Sequence, residues 1–141
     1  MIVEEENPVY DSRENCNAII DTETNTLIAG CGKTIIPNSV TTIGDWAFYN
    51  CGKLYNLTIP NSVKYIGRDA FWGCTKCREL AVASELPPTA SNEAFTNLYK
   101  QTILKVPVGS LAAYQTDEVW SKFQNIQESP ALTIYTPIRN T

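Results

Sequence analysis

The sequence predicts a short, β-rich solenoid in which similar units stack along one axis and share a core. The first observation is a repeat, because the chain aligns with itself at an offset of 23 residues. Residues 36–58 have the sequence IPNSVTTIGDWAFYNCGKLYNLT, and residues 59–81 have the sequence IPNSVKYIGRDAFWGCTKCRELA. The second observation is that each unit has a single apolar face, which only a stacked neighbour can bury.

The identical positions of the two units are apolar or turn residues, which assigns them to the core or to turns. They are Ile36/Ile59, Pro37/Pro60, Asn38/Asn61, Ser39/Ser62, Val40/Val63, Ile43/Ile66, Gly44/Gly67, Ala47/Ala70, Phe48/Phe71, Cys51/Cys74 and Leu57/Leu80. A third unit follows at an offset of 24, since Ala94 and Phe95 match Ala70 and Phe71. The inserted residue lies within residues 85–93, where two prolines and polar residues predict a loop.

Each unit is predicted to contain a short strand, a turn and a second apolar edge. Leu57 and Ile59 alternate with polar residues, as in a strand with one buried face. The Pro-Asn-Ser sequence that follows is typical of a turn. Gly44 and Gly67 indicate a backbone bend, and the segment after each is about long enough for one helical turn.

The domain organisation predicted is one domain over residues 1–128. Residues 7–35 form an N-terminal hairpin unit, residues 36–106 the repeats, and residues 107–128 a C-terminal cap. Ile2 and Val3 are interpreted as the end of an earlier strand. In the cap, the Ser110 side chain is expected to cap a short helix, and Trp120, Phe123 and Ile126 recur on one face. Residues 129–141 are interpreted as a tail or linker.

Composition excludes several classes of function. Histidine is absent, so Ser-His-Asp and Cys-His nucleophilic sites and histidine metal sites are excluded. Residues 1–23 have a net charge of −6, and the net charge of the whole chain is −4. Because no part of the chain is strongly basic, we expect no nucleic-acid partner. No stretch approaches the roughly 18 apolar residues of a membrane span, so no membrane insertion is expected. The first residues also lack the pattern of a secretory signal.

The pattern IPxSVxxIGxxAFxxCxxLxxLxIP of residues 36–81 resembles the BspA-like leucine-rich repeat of bacterial surface proteins. Residues 106–126 are similar to the closing segment of such proteins, and residues 17–31 to insertions that interrupt their arrays. The resemblance implies a leucine-rich-repeat solenoid of the α/β superhelix type, rich in β-structure with short helical turns. It also implies a protein or glycan ligand, a location at the cell surface or outside the cell, and no catalytic residues. The array is short, and Cys77 stands where the preceding unit has Leu54.

Cys74 and Cys77 form a CxxC sequence, which in other contexts indicates redox chemistry or half a metal site. The repeat register instead assigns both to the core, as small apolar side chains. We therefore expect no metal and no cofactor, and expect Cys51 and Cys74 to be buried free thiols.

Five aromatic residues are candidates for a ligand-binding surface. Tyr49 and Trp72 occupy equivalent positions just after the core phenylalanines, while Trp46, Tyr55 and Tyr65 lie at variable positions of the repeat. Aromatic side chains at variable positions provide contact area at low entropic cost. The alternative is that they cover neighbouring turns and bind nothing.

The function these observations favour is a non-enzymatic binding or adhesion module. A purely structural terminal fragment of a longer array is the first alternative. A small cysteine-dependent enzyme is a second alternative, which would require a reactive thiolate.

Overall fold

The computed structural model describes residues 1–133 and consists of two β-sheets wound from successive coils. The strands are β1 (Tyr10–Asp11), β2 (Ile19–Asp21), β3 (Thr26–Ala29), β4 (Thr42–Ile43), β5 (Asn56–Ile59), β6 (Tyr65–Ile66), β7 (Glu79–Val82), β8 (Thr89–Ala90), β9 (Ile103–Pro107) and β10 (Asn125–Ser129). The helices are α1 (Leu111–Gln115) and α2 (Pro130–Thr133), with 3₁₀ turns at Arg13–Asn15 and Trp120–Lys122.

The two sheets are the walls of the solenoid. The first, sheet A, has the order β1-β2-β3-β4-β6-β8, and the second, sheet B, has the order β10-β9-β7-β5. From β4 onward every pairing is parallel, and the offset of 23 appears directly as register, with Thr42 opposite Tyr65 and Asn56 opposite Glu79. Each coil thus contributes one strand to each wall, which confirms the predicted stacking.

The core lies between the sheets because apolar residues alternate along the strands. In β5, Leu57 and Ile59 are buried while Asn56 and Thr58 are exposed. The residues predicted to share one inward face all belong to a single buried cluster: Val40, Ile43, Phe48, Leu57, Val63, Ile66, Phe71 and Leu80. The prediction of one stacked core is confirmed.

The segments that follow Gly44 and Gly67 are series of turns rather than the expected helical turn. The N–H groups of Ala47 and Tyr49 donate to the carbonyls three residues earlier, at 3.3 and 3.0 Å. Trp46 has a positive φ of 66° and Asn50 one of 54°, so a regular helix cannot form.

Gly67 does not have a left-handed backbone, since the positive-φ glycines of residues 1–133 are Gly73 and Gly109. The chain nevertheless turns directly after Gly67, whose carbonyl accepts from the Ala70 N–H at 3.4 Å. A Cβ atom on Gly67 would overlap Asp45, whose backbone N would lie 2.7 Å away, so glycine is needed here for the close approach of adjacent coils.

The N-terminal hairpin formed by β2 and β3 is antiparallel and extends sheet A. Strand β3 pairs in parallel with β4, with Leu27 opposite Ile43, so the hairpin covers the first coil by adding a strand to it. Ile2 and Val3 are not in a strand, and Ile2 is 87% exposed. The interpretation of these two residues as a strand end is not supported by the structure.

The C-terminal segment closes the other end of the core. Trp120 and Phe123 are buried, and the Trp120 indole N–H donates to the Pro88 carbonyl at 2.8 Å. The Tyr114 hydroxyl donates to the Ser84 carbonyl at 2.6 Å. Ser110 precedes α1 but makes no side-chain capping hydrogen bond, in contrast to the expectation.

The structure of this segment continues past residue 128. Strand β10 reaches Ser129 and pairs in parallel with β9. Helix α2 follows, and its Leu132 packs on Ala81 and Ala83 on the outer side of sheet B. Residues 129–133 are thus part of the folded structure rather than a tail, and residues 134–141 lie outside the described residues.

Candidate functional site

Three of the predicted aromatic residues form a stacked surface row on the turns that follow β4 and β6. The Trp46 and Tyr49 ring centroids are 4.7 Å apart and inclined at 44°, and those of Tyr49 and Trp72 are 4.9 Å apart and inclined at 12°. We refer to Trp46, Tyr49 and Trp72 as the aromatic ladder. The repeat predicted the contact between Tyr49 and Trp72, whose equivalent positions are brought together by stacking.

Backbone hydrogen bonds between neighbouring coils hold the aromatic ladder in place. The Trp46 N–H donates to the Arg68 carbonyl at 2.9 Å, and the Asn50 N–H donates to the Trp72 carbonyl at 2.6 Å. These bonds keep the two turns one strand spacing apart, about 5 Å. The rings are therefore ordered by the backbone before any ligand arrives.

The aromatic ladder is accessible, although not uniformly. Trp46 is 50% exposed and Tyr49 is 42% exposed, whereas Trp72 is half-buried beneath its neighbour. Trp46 also has a left-handed backbone, which is uncommon for a bulky residue and costs conformational energy. The equivalent residue of the next coil, Asp69, has the same backbone conformation, so the turn imposes it on whichever residue occupies this position.

Tyr55 and Tyr65 do not join the aromatic ladder. Tyr65 lies in β6 between Thr42 and Thr89 on the outside of sheet A. Tyr55 precedes β5 and lines an open groove with Lys76 and Arg78. Within residues 1–133 neither ring stacks on another aromatic ring. The five predicted residues are thus divided among three surfaces.

The two cysteines of the CxxC sequence, Cys74 and Cys77, are not activated nucleophiles. Burial raises the pKa of Cys74 to about 12 and the pKa of Cys77 to about 11, so both thiols are protonated at neutral pH. The Cys74 thiol donates to the Phe48 carbonyl at 3.0 Å. A reactive cysteine requires a lowered pKa, and the environment here has the opposite effect.

Cys51 departs from the expectation, because it is half-buried rather than buried. It lies on a turn next to exposed Gly52, whereas Cys74 is buried and its thiol contacts the Phe48 carbonyl of the preceding coil. The five cysteines are unbridged in the structure. In the described part of the chain, no three Cys, Asp or Glu residues are grouped as a metal site would require.

Sequence reasoning did not identify the basic residues near Tyr55. The groove beside Tyr55 is also lined by Lys76, Arg78 and Gln101. Their signal was present in the sequence, since Lys53 and Lys76 match at the offset of 23. A comparison of the apolar and turn positions alone does not reveal this match, because lysine is neither.

The architecture defines the class of protein: parallel strands contributed by 23-residue coils, one per wall, make a leucine-rich-repeat solenoid. The family model for the BspA type leucine-rich repeat region matches residues 28–129, in six copies. The chain therefore belongs to the BspA-type leucine-rich repeat family. None of the curated proteins matches the chain.

The family match extends beyond residues 36–106, which we had assigned to the repeats. It begins within β3 at one end and includes the capping segment with β10 at the other. Both segments add a parallel strand to a sheet, which is what a repeat unit does. The family consists of repeat proteins and is associated with bacterial surface proteins. No helix within residues 1–133 has the length and apolar character needed to span a bilayer.

Proposed function

We propose that this chain is a non-enzymatic binding or adhesion module that acts at a cell surface or outside the cell. The observation that supports it best is the aromatic ladder, in which three large rings stack on the surface instead of entering the core. The ligand would be a protein surface or a sugar ring that lies across Trp46 and Tyr49.

The energetic argument rests on preorganisation. A side chain that is immobilised only on binding costs about 0.5–1.5 kcal/mol in entropy. The rings of the aromatic ladder are already ordered by mutual stacking, so most of this cost is met when the protein folds. Tryptophan and tyrosine are also the residues that most often dominate binding energy at interfaces.

Two further features support binding rather than catalysis. The sequence contains no histidine, and burial raises the pKa of Cys74 and Cys77 well above neutrality. The repeat also explains most buried residues as core, which leaves the variable surface positions for recognition.

The experiment compares two double variants on an array of glycans and on an array of purified extracellular proteins. Tyr49→Ala/Trp72→Ala removes two of the three rings of the aromatic ladder, including Tyr49, which contacts both of the others. Tyr10→Ala/Tyr65→Ala is the matched control, since these rings are 39% and 43% exposed and lie on sheet A, outside the aromatic ladder. Circular dichroism first establishes that both variants fold.

We expect the ladder variant to lose at least tenfold in affinity for whichever probe the parent binds, which corresponds to about 1.4 kcal/mol. The control should remain within twofold of the parent. A ladder variant that binds within twofold of the parent, or a control that loses as much, would contradict the proposal.

A further inference from the structure

Five lysines occupy corresponding positions in successive coils of the solenoid. They are Lys33, Lys53, Lys76, Lys100 and Lys122, and we refer to them as the lysine column. The sequence Cys-Gly-Lys occurs at residues 31–33 and 51–53, and Cys-Thr-Lys occurs at residues 74–76. The column includes no residue of the aromatic ladder, so it is a second surface.

The register of sheet B aligns the three central lysines. Asn56 pairs with Glu79, and Glu79 pairs with Ile103. Lys53, Lys76 and Lys100 each lie three residues before one of these partners, so they are neighbours one strand spacing apart, about 5 Å.

The contacts of the outer two coils continue the same line. A Cβ atom on Gly32 would lie 3.0 Å from the Lys53 Cβ, which places the Cys-Gly-Lys turns against each other. At the other end, Lys122 Nζ lies 5.9 Å from the centroid of the Tyr99 ring. Tyr99 is adjacent in sequence to Lys100. The column therefore extends from the hairpin unit to the capping segment.

The charges of the lysine column are not neutralised within the described part of the chain. All five lysines are exposed, and the ion pairs of residues 1–133 are Arg13 with Asp11 and Lys105 with Glu79. Arg78 adds a further exposed positive charge beside Lys76. Like charges one strand spacing apart repel each other, and the stack holds them together nonetheless.

Asp11 and Arg13 of the acidic N-terminal segment lie near a different turn of the coils, whereas its Asn17 carbonyl accepts from Cys31 and Thr34 beside the first Cys-Gly-Lys turn. Arg13, within this segment, donates to Ser39 at 3.1 Å, and Ser39 belongs to the Pro-Asn-Ser turn rather than to the Cys-Gly-Lys turn. The Asp11 carboxylate, which pairs with Arg13 at 2.7 Å, thus lies away from the central lysines of the column, and the weak overall charge conceals a local basic edge.

We propose that the lysine column binds a linear anionic polysaccharide, carboxylated or sulfated, laid along the solenoid axis. One positive charge per coil matches an extended chain with one anionic group per sugar, because a pyranose ring is about as long as one strand spacing, ~5 Å. Tyr55 lines an open groove of about 760 Å³ together with Lys76, Arg78 and Glu79, whose carboxylate is paired with Lys105 at 3.7 Å. Its ring offers an apolar face on which a sugar packs beside the charges.

A duplex nucleic acid fits this surface less well. Its phosphates wind around a cylinder, so a straight row of lysines meets only a few of them. Proteins that recognise a DNA sequence insert a helix or a β-ribbon into a groove, whereas the lysines of the column lie on turns. The lysines also lack the planar fork with which arginine contacts phosphate and base edges.

The test measures affinity for heparin, polygalacturonate, neutral dextran and a short DNA duplex over a range of salt concentrations. Heparin and polygalacturonate distinguish sulfated from carboxylated chains. The column variant is Lys76→Gln/Lys100→Gln. The control, Lys64→Gln/Arg68→Gln, removes the same charge from exposed positions on the sheet A side.

The parent should bind at least one of the two anionic polysaccharides and not dextran. We expect the column variant to bind at least tenfold more weakly, and the control to stay within twofold. The slope of log affinity against log salt should fall by about two, because each lysine contact releases roughly one counterion. Tyr55→Ala should weaken binding without changing that slope, since it removes apolar contact and no charge.

Three outcomes would overturn the proposal: a parent that binds neither anionic polysaccharide, equal losses in the column and control variants, or tighter binding to the DNA duplex than to both polysaccharides at the same salt concentration. The aromatic-ladder variant is assayed on the same probes. Failure of the lysine column would leave the proposed aromatic site untouched.

Discussion

Replacing Phe71 with alanine tests whether ring stacking between coils stabilises the solenoid. Phe71 is fully buried, and its ring lies 5.0 Å from that of Phe48 and 5.5 Å from that of Phe95. The interplanar angles are 5° and 14°. Phe71 is therefore the centre of a three-ring stack, and its removal breaks both contacts.

The size of the effect follows from the contacts and from how little the site can collapse. Truncating a buried phenylalanine costs about 3–5 kcal/mol, and a stacked aromatic pair is worth about 0.5–1.5 kcal/mol beyond its buried area. The flanking rings are held apart by the backbone, since the Phe48 N–H donates to Ala70 and the Phe71 N–H donates to Ala94, at 2.7 and 2.9 Å. We therefore expect a loss of about 4–5 kcal/mol in the free energy of unfolding.

The measurement is urea unfolding followed by circular dichroism, together with the midpoint of thermal unfolding. For a chain of this length a loss of 4 kcal/mol lowers the thermal midpoint by roughly 13 °C. Since single domains are stable by only about 5–15 kcal/mol, Phe71→Ala could leave too little folded protein to measure. In that case Phe71→Leu is measured instead, with an expected loss of about 1–2 kcal/mol in the free energy of unfolding.

Tyr49→Ala is the control, because it breaks the surface ring pair of Tyr49 and Trp72 rather than the buried stack. Its expected loss in the free energy of unfolding is below about 1.5 kcal/mol. A loss below about 1 kcal/mol for Phe71→Ala, or one no larger than that for Tyr49→Ala, would refute the argument that the inner ring stack stabilises the solenoid.

Three further predictions concern local packing. Gly67→Ala should destabilise the protein by about 1–3 kcal/mol, because the added Cβ would lie only 2.7 Å from the Asp45 backbone N. Gly52→Ala is the control and should change stability little, since nothing lies within 4 Å of that position; equal urea midpoints for the two variants would count against this. Cys74, whose pKa burial raises to about 12, should react with a thiol reagent at pH 8 only after denaturation, and rapid labelling of the native protein would contradict its assigned burial. Truncation before Gly109 should expose the last coil and cause aggregation, so a truncated chain that stays monomeric with unchanged thermal stability would show that the segment is no cap.

The repeat and the core could be predicted from sequence because burial is periodic. Each coil must present the same apolar positions to its neighbours, so matched residues such as Phe48 and Phe71 had to share one face. The structure confirms this, and the offset of 23 reappears as the pairing register of both sheets.

The end of the domain was harder to predict. Strand β10 consists of Asn125–Ser129, and only Ile126 among its residues packs against the core. Such a segment has no strand pattern of its own. It becomes a strand because β9 offers an unpaired parallel edge, which is a property of the assembled stack.

The candidate site was predicted in part, for a related reason. Tyr49 and Trp72 were recognised as neighbours by register, but the contact of Trp46 with Tyr49 depends on the left-handed backbone at Trp46. Tyr55 and Tyr65 were grouped with them because all occupy variable positions. The structure separates them, since one precedes sheet B and the other lies on sheet A.

The sequence by itself determined the repeat length, the inward residues and the family to which the chain belongs, because a buried position recurs in every coil and tolerates few substitutions. Only the tertiary structure decided which surface side chains meet. The aromatic ladder and the lysine column both depend on the spacing between coils and on the path of the backbone through the turns. These are set by backbone hydrogen bonds between residues far apart in the sequence, such as Trp46 with Arg68 and Asn50 with Trp72.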